Sequence, residues 1–223
     1  MKIVISLGGS KIVPNKVDYY FLKKFKKVVE KIKKGNKIVI VTGGGSTARK
    51  YIEALGKEGW GTKSQNALGF NVTRLNALLV SDFLKSNLFF PNSKRELKKM
   101  LNKQNIVVTG AVDFKPKMTT DGTSADIAKF IKADVFVNIT NVKGLYDKDP
   151  KKFKNAKFIP EISFKEFSKI VNKIKFKPGQ HFVLDQRAAK VISKNKIKTV
   201  ITKDINNLIK IVKGEKFIGT TIS

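Results

Sequence analysis

Residues Lys37-Ile38-Val39-Ile40-Val41-Thr42 constrain this chain more than any other segment. A β-branched run with no polar face predicts a strand buried on both sides, as in a parallel sheet covered by helices. Gly43-Gly44-Gly45 follows at once, and Ser46 or Thr47 can open a helix running to about Leu55. Strand, glycine turn and helix in that order is the repeating unit of an α/β fold.

The rest of the chain continues the alternation. Lys2–Leu7 reads as a strand that stops at Gly8-Gly9. Asp18 can cap a helix whose apolar positions Phe21, Leu22, Phe25, Val28, Val29 and Ile32 share one face, and Gly35 ends it. Residues 56–63 read as a glycine-rich linker, followed by a helix from about Gln65 to Lys85 and a short strand at Leu88–Phe90. Ser93 and Glu96 have capping-box spacing for a helix to about Asn102. Strand Ile106–Thr109, an irregular loop from Gly110 to Thr120, a helix over Ser124–Lys132 and strand Val135–Ile139 come next. A short strand near Phe158 precedes a second capping box at Ser163 and Glu166, which opens a helix to about Asn172. Beyond a loop at 175–183, helix Asp185–Ser193, strand Lys198–Thr202, helix Asp204–Val212 and a strand near Thr220 complete the chain. The expected architecture is a three-layer αβα sandwich with a mainly parallel central sheet, built as a single domain over residues 1–223.

Composition removes several chemistries. With no cysteine there are no disulfides, thiolate metal sites or cysteine nucleophiles. The one histidine, His181, gives a zinc site or a Ser-His-Asp triad little to build on. No apolar run reaches the roughly 18 residues of a membrane span, and Met1–Lys11 makes a poor signal peptide, so the cytoplasm is the default location. Forty-six Lys+Arg against 17 Asp+Glu give a net charge of +29. Such a charge invites nucleic-acid binding. Lysines interleaved with apolar residues, as in Phe21–Val29, read better as solvated helix faces in a compositionally biased chain.

Ligands of open α/β sheets bind at the C-terminal ends of strands. Four such ends carry suggestive loops: Gly8-Gly9-Ser10-Lys11, Gly43-Gly44-Gly45-Ser46, Gly110–Asp121 and Thr140–Tyr146. Glycines let backbone N–H groups approach an anion, the following helix N-terminus favours negative charge, and Lys11 and Arg49 add charge-assisted bonds. Phosphate binding is the better reading of this pair of loops. No Gly-Lys-Ser/Thr triplet exists, so a Walker A loop is excluded. Gly43-x-Gly45-x-x-Ala48 fits a loose dinucleotide fingerprint, but the stretch Lys63–Ala67, where an acidic residue should close a second strand, offers no carboxylate. Thr119 and Thr120 can donate to a phosphate, and Asp121 can cap a helix or orient a lysine. Asp147 and Asp149 follow a strand-end turn, where a carboxylate can meet ribose hydroxyls or a metal, although alone they look like turn residues.

Taken together, Val41–Ile52, Thr73–Ala77, Asn141–Tyr146 with Asp149-Pro150, Gly179–Ala189 and Gly219–Ile222 resemble the amino-acid-kinase family, and within it the archaeal type of UMP kinase, over essentially the whole chain. The resemblance implies ATP with Mg²⁺ as cofactors, conversion of UMP to UDP in pyrimidine nucleotide biosynthesis, and a homo-hexamer. It places Gly9, Ser10, Gly45 and Arg49 on the ATP phosphates, and Thr140, Asn141, Tyr146 and Asp149 around adenine and ribose. It places Gly44, Asn66, Val112, Asp113, Phe114, Lys115, Pro116, Lys117, Met118, Thr119 and Thr120 on the acceptor. No protein metal ligand is expected. Ser6 stands where the family often has lysine, leaving Lys11 and Arg49 as the expected catalytic cations. Asn66 replaces an acidic residue, and the 111–118 loop runs two residues longer than usual. Two alternatives follow from these departures: a paralogue phosphorylating another small phosphate or acid, and a non-catalytic nucleic-acid-binding or regulatory homologue.

Overall fold

The computed structural model describes residues 1–114, 119–150, 152–173 and 184–223. Strands β1 (Lys2–Leu7), β2 (Lys37–Thr42), β3 (Ile106–Thr109), β4 (Val135–Ile139) and β8 (Thr199–Thr202) run parallel in the order β3-β2-β1-β4-β8. The sheet continues through β9 (Thr220–Ile222), antiparallel to β8, to β7 (Glu161–Ile162). β5 (Leu145–Tyr146) and β6 (Phe158–Ile159) form a separate antiparallel ribbon. A mainly parallel sheet is therefore what the chain builds.

Each strand sends alternate side chains to opposite layers, as a period of two requires. Ile3, Ile5, Ile38, Ile40, Val108 and Val137 face a core covered by α2 (Tyr19–Ile32), α4 (Thr62–Leu84) and α9 (Asn207–Lys213). Val4, Val39, Val41, Val107 and Phe136 face the other, covered by α5 (Lys94–Lys103), α6 (Thr120–Ile131), α7 (Phe164–Lys173) and α8 (Gln186–Asn195). The run at β2 is apolar throughout because both of its faces are buried. The two remaining helices, α1 (Gly9–Ile12) and α3 (Gly45–Lys57), directly follow β1 and β2 at the sheet's upper edge.

The capping signals work as expected. Asp18 accepts from Phe21 N at 2.9 Å, Ser93 from Glu96 N at 3.2 Å and Ser163 from Glu166 N at 3.2 Å. Two helices begin earlier than their patterns suggest, α4 at Thr62 and α6 at Thr120. The α6 start is set by Thr119, whose hydroxyl oxygen accepts from Gly122 N at 3.0 Å. α4, α6 and α8 end on Lys85, Lys132 and Lys196, all with left-handed backbone (φ 50, 52 and 49°). Glycine or asparagine is the residue that fits such a cap. Lysine at three of them shows the lysine excess reaching positions where local geometry disfavours it, which is the mark of compositional bias.

The expected strand at Leu88–Phe90 does not form. Leu88 and Phe89 lie exposed in a bend, and the side chain of Asn87 takes the strand's place along the edge of β3. Its Oδ1 accepts from Val108 N at 2.7 Å, and its Nδ2 donates to Val108 O at 2.9 Å. One carboxamide thus satisfies a buried peptide group that would otherwise need a backbone partner. Replacing Asn87 by alanine orphans both Val108 groups and is expected to cost about 3 kcal/mol of unfolding free energy. Urea denaturation checks this; a loss of less than about 0.5 kcal/mol, the size of an ordinary surface change, would contradict it.

Candidate active site

The chain places β2 and β3 on one side of β1 and β4 on the other, so the strand order reverses at β1. A crevice opens above such a switch point. The two glycine turns meet there. Gly9 opens α1 against the backbone of Gly43–Gly45, so closely that a Cβ on Gly9 would lie 2.6 Å from the carbonyl carbon of Gly43 and 2.7 Å from the nitrogen of Gly44. Gly45 has a φ of +65°, and a Cβ there would meet the carbonyl oxygens of Gly9 and Val13 at 2.5 and 2.7 Å. No side chain fits at either position.

Bonds from three directions fix this junction. Gly43 N donates to Leu7 O at 3.0 Å and Ser46 N to Val13 O at 2.9 Å. From α4, Asn76 Nδ2 donates to Gly43 O at 2.7 Å, in a buried contact. The hydroxyl of Ser46 in the first turn of α3 is buried without a partner among the described residues. An unpaired buried hydroxyl beside backbone N–H groups at a helix start is the kind of group an anion satisfies.

On the β4 side, Asn141 Nδ2 donates to Ser10 Oγ at 3.2 Å, joining the β1 and β4 loops. Thr140 N bonds Thr202 O at 2.9 Å, which fixes the loop to β8. Tyr146 stands in β5 with its ring 5.5 Å from that of Phe158. Thr220 accepts from Leu145 N at 2.7 Å and so pins the start of this ribbon. Asp149 is half-buried, and its carbonyl accepts from Phe153 N at 3.0 Å. Asp147 serves the turn, accepting from Lys157 N at 2.7 Å. Arg49 is exposed on α3, in the turn after the glycines. Lys11 lines a separate cleft with Lys203, and burial first, then Lys203, holds its ammonium below the usual lysine range despite the opposing pull of Asp204.

On the β3 side, the loop that follows the strand is built on α4. Thr73 Oγ1 accepts from Ala111 N at 2.9 Å, Thr73 O accepts from Thr42 Oγ1 at 2.8 Å, and the Gly110 backbone packs directly on Thr73 and Arg74. Arg74 lies 4.5 Å from the ring centres of both Phe70 and Phe90, and Phe114 stands edge-on to Phe70 at 5.3 Å. Val112 is buried in the core, so its side chain is a packing group. Asp113 has a left-handed backbone (φ 59°) and lies 3.9 Å from Lys94 Nζ. Asn66 is half-buried on α4. Lys115, Pro116, Lys117 and Met118 lie outside the described residues, as does His181. The Thr120 hydroxyl lies over the glycine turn, 3.0 Å from where a Cβ of Gly43 would be.

Thr119 and Asp121 behave differently from the sequence expectation. The Thr119 hydroxyl already donates its proton to Asp185, whose other oxygen caps α8 through Arg187 N (2.7 Å) and Ala188 N (2.9 Å). Among the described residues Asp121 neither caps α6 nor pairs with a lysine. Ser6 Oγ, in the middle of the buried sheet, donates to it at 2.8 Å, and Asn138 on the neighbouring strand also bonds it. Asp121 keeps some open surface, but its carboxyl is enclosed. Burial pushes it up to about 7, opposed by the Ser6 bond, reinforced by Asp185 and opposed again by Asn138. Among the described residues no cation pairs with this carboxyl, and burial favours its protonated form.

Two glycine turns interlock at the switch point, between the β4–β5 loop and the loop that follows β3. Residues 1–203 match the Amino acid kinase family. The chain belongs to that family. It is 39% identical to a uridylate kinase from Pyrococcus abyssi, with 100% of this chain and 99% of that one covered. It is 38% identical to a uridylate kinase from Archaeoglobus fulgidus, with full coverage of both. The crystal structure of uridylate kinase from Archaeoglobus fulgidus superposes with a TM-score of 0.89 at 36% identity, covering 100% of each chain.

The structure brings Gly9, Gly44, Gly45 and Thr120 to one junction, with Ser10 and Asn141 bonded to each other beside it. Missed as site-building groups were Ser6, Asn76, Asn138 and Asp185. Only Asn76 and Asp185 lay within motifs singled out from the sequence; buried polar residues inside apolar strands, such as Ser6 and Asn138, were the remaining signal.

Asp121 binds its proton more tightly folded than unfolded, where an aspartate ionises near 3.9. The folded state therefore loses stability as pH rises from about 4 through about 7. Asp121→Asn should abolish that component, so urea midpoints of the native chain should decline relative to the variant across this window. Parallel profiles would contradict the assignment.

Proposed function

We propose that this protein is an ATP-dependent UMP kinase, a cytoplasmic enzyme of pyrimidine nucleotide biosynthesis whose whole chain works as one catalytic domain. The observation that carries the proposal is the backbone interlock of Gly9 with Gly43–Gly45, flanked by an α4-built acceptor loop and a β4–β5 donor loop. Full-length similarity to archaeal uridylate kinases supports UMP as the acceptor. It weighs against the paralogous-acceptor and non-catalytic readings.

ATP lies with its phosphates on Gly9, Ser10, Gly45 and the start of α3, and with adenine and ribose along Thr140, Asn141, Tyr146 and Asp149. UMP lies against Gly44, Asn66, the start of the loop at Val112, Asp113 and Phe114, and Thr120, with Thr119 bonded to Asp185. A phosphate oxygen of UMP attacks the γ-phosphorus in line, its new P–O bond forming as the bond to ADP breaks. The attacking oxygen is already anionic, so no general base is needed. Catalysis is then positioning plus positive charge. Arg49 supplies the mobile cation, the backbone N–H groups supply fixed dipoles, and Lys11 adds to the field from its cleft.

Magnesium bound to the triphosphate supplies charge neutralisation of its oxygens. Among the described residues no group of three His, Cys, Asp or Glu side chains could cage a metal, and Asp121 and Asp185 are already engaged. The exposed Leu75, Leu88 and Phe89 supply apolar surface for the proposed homo-hexamer.

Arg49→Ala is expected to lower kcat for UMP at least tenfold while leaving the thermal midpoint within a degree, because the residue is exposed. A coupled ADP-release assay beside a melting curve checks both. Unchanged turnover would remove Arg49 from the mechanism, and absence of UMP-dependent ADP release in the native chain would remove the proposed function.

A further inference from the structure

Arg74 on α4 is gripped from both sides. Its guanidinium carbon lies 4.5 Å from the ring centres of Phe70, one helical turn back, and of Phe90, in the segment between α4 and α5. Phe90 is placed there by the strand that does not form. Asn87 occupies the edge of β3, so Leu88 and Phe89 lie exposed while Phe90 packs on Arg74. Two rings hold a cation without using its N–H groups, which remain for hydrogen bonds. Arg74 Nε donates to Ala111 O at 3.4 Å, and Nη2 donates to Asn92 Oδ1 at 3.2 Å. Asn92 N in turn donates to Glu96 Oε2 at 2.8 Å, in the first turn of α5. One side chain thus ties α4, the start of α5 and the loop after β3 together.

That loop is anchored at four successive residues. Ala111 is bonded at both ends of its backbone by neighbours on α4, since Thr73 Oγ1 accepts from its N–H at 2.9 Å and Arg74 donates to its carbonyl. Val112 is buried in the core. Asp113 lies 3.9 Å from Lys94 Nζ and has a left-handed backbone (φ 59°), a conformation that an aspartate keeps only where its surroundings hold it. Phe114 stands edge-on to Phe70 at 5.3 Å, so the ring that grips Arg74 also carries the end of this segment. Asn66 lies one turn before Phe70, which puts Asn66, Phe70 and Arg74 at i, i+4 and i+8 along one stripe of α4. A loop ordered in this way spares a ligand the cost of ordering it on binding.

We propose that Arg74 is a positioning residue for the phosphoryl acceptor, which it serves by presetting residues 111–114 through the Ala111 carbonyl and the Phe70–Phe90 stack. The inference rests on the reading of this loop as the seat of the acceptor. Arg74 acts through its neighbours, so its loss weakens acceptor binding and leaves the chemical step at the glycine junction as it was. A role confined to the packing of α4 would instead lower stability with the kinetics unchanged, or disturb both substrates together.

Initial rates with UMP and ATP varied separately, beside calorimetric titration of UMP, test this. Arg74→Ala should raise KM and Kd for UMP about tenfold or more, with kcat within about twofold of native and KM for ATP unchanged. Arg74→Lys keeps the charge but loses the planar fork, so it should retain most of that defect. Phe90→Leu keeps an apolar side chain and the arginine, and should give a smaller rise in the same constant. Should Arg74→Ala fail to fold, the other two variants carry the comparison. Native KM for UMP in the Arg74 variants would overturn the proposal. So would an equal rise in KM for both substrates, or a fall in kcat at unchanged KM. A native chain that releases ADP with another phosphate acceptor and not with UMP would overturn the acceptor assignment alone. The same comparison, made with that acceptor, would then decide the role of Arg74.

Discussion

The structure depends on one steric contact: the backbone of Gly9 lies against the backbone of Gly43–Gly45 with no room for a side chain on either. This closeness lets the ends of β1 and β2 present their amides to one place instead of two. Every other feature of the site answers to it. Asn76 holds the turn from below, Ser46 N holds α3 to the β1 loop through Val13, and Thr120 closes the turn from the α6 side. Family membership and the archaeal uridylate kinase relatives are consistent with a junction built to hold two phosphates at bonding distance.

Behind the junction lies a buried polar network centred on Asp121. Ser6 and Asn138 sit opposite each other in adjacent parallel strands, between apolar residues of each strand, and both serve Asp121. A carboxyl in such a place must be neutralised by a cation or by a proton. With serine in β1 it keeps the proton to about 7.

The fold was largely legible because its signals are local and physical. The β2 run has the composition of a doubly buried strand, capping residues at 18, 93 and 163 bond where their spacing says, and glycines mark the switch point. The misreading at Leu88–Phe90 has an equally physical cause. Its apolar residues look like a strand, but a side-chain amide from Asn87 can satisfy the edge of β3 without one. The site was legible where glycines had to be glycines and where a helix needed a cap. It was not legible where a role depends on distant partners, as for Thr119 with Asp185 or Asp121 with Ser6, which lie 66 and 115 residues apart. Lys11 shows the same limit: its position after Ser10 suggests a phosphate contact, while packing turns it toward a cleft that no contiguous motif announces.

The central claim is that the interlocked turns hold donor and acceptor together, so that the phosphoryl group passes directly between them. The stereochemical course of transfer tests this most directly. ATP whose γ-phosphorus is made chiral with three oxygen isotopes should yield UDP inverted at that phosphorus, since one in-line displacement inverts configuration. Retention would require two displacements through an intermediate on the protein, and would contradict the account.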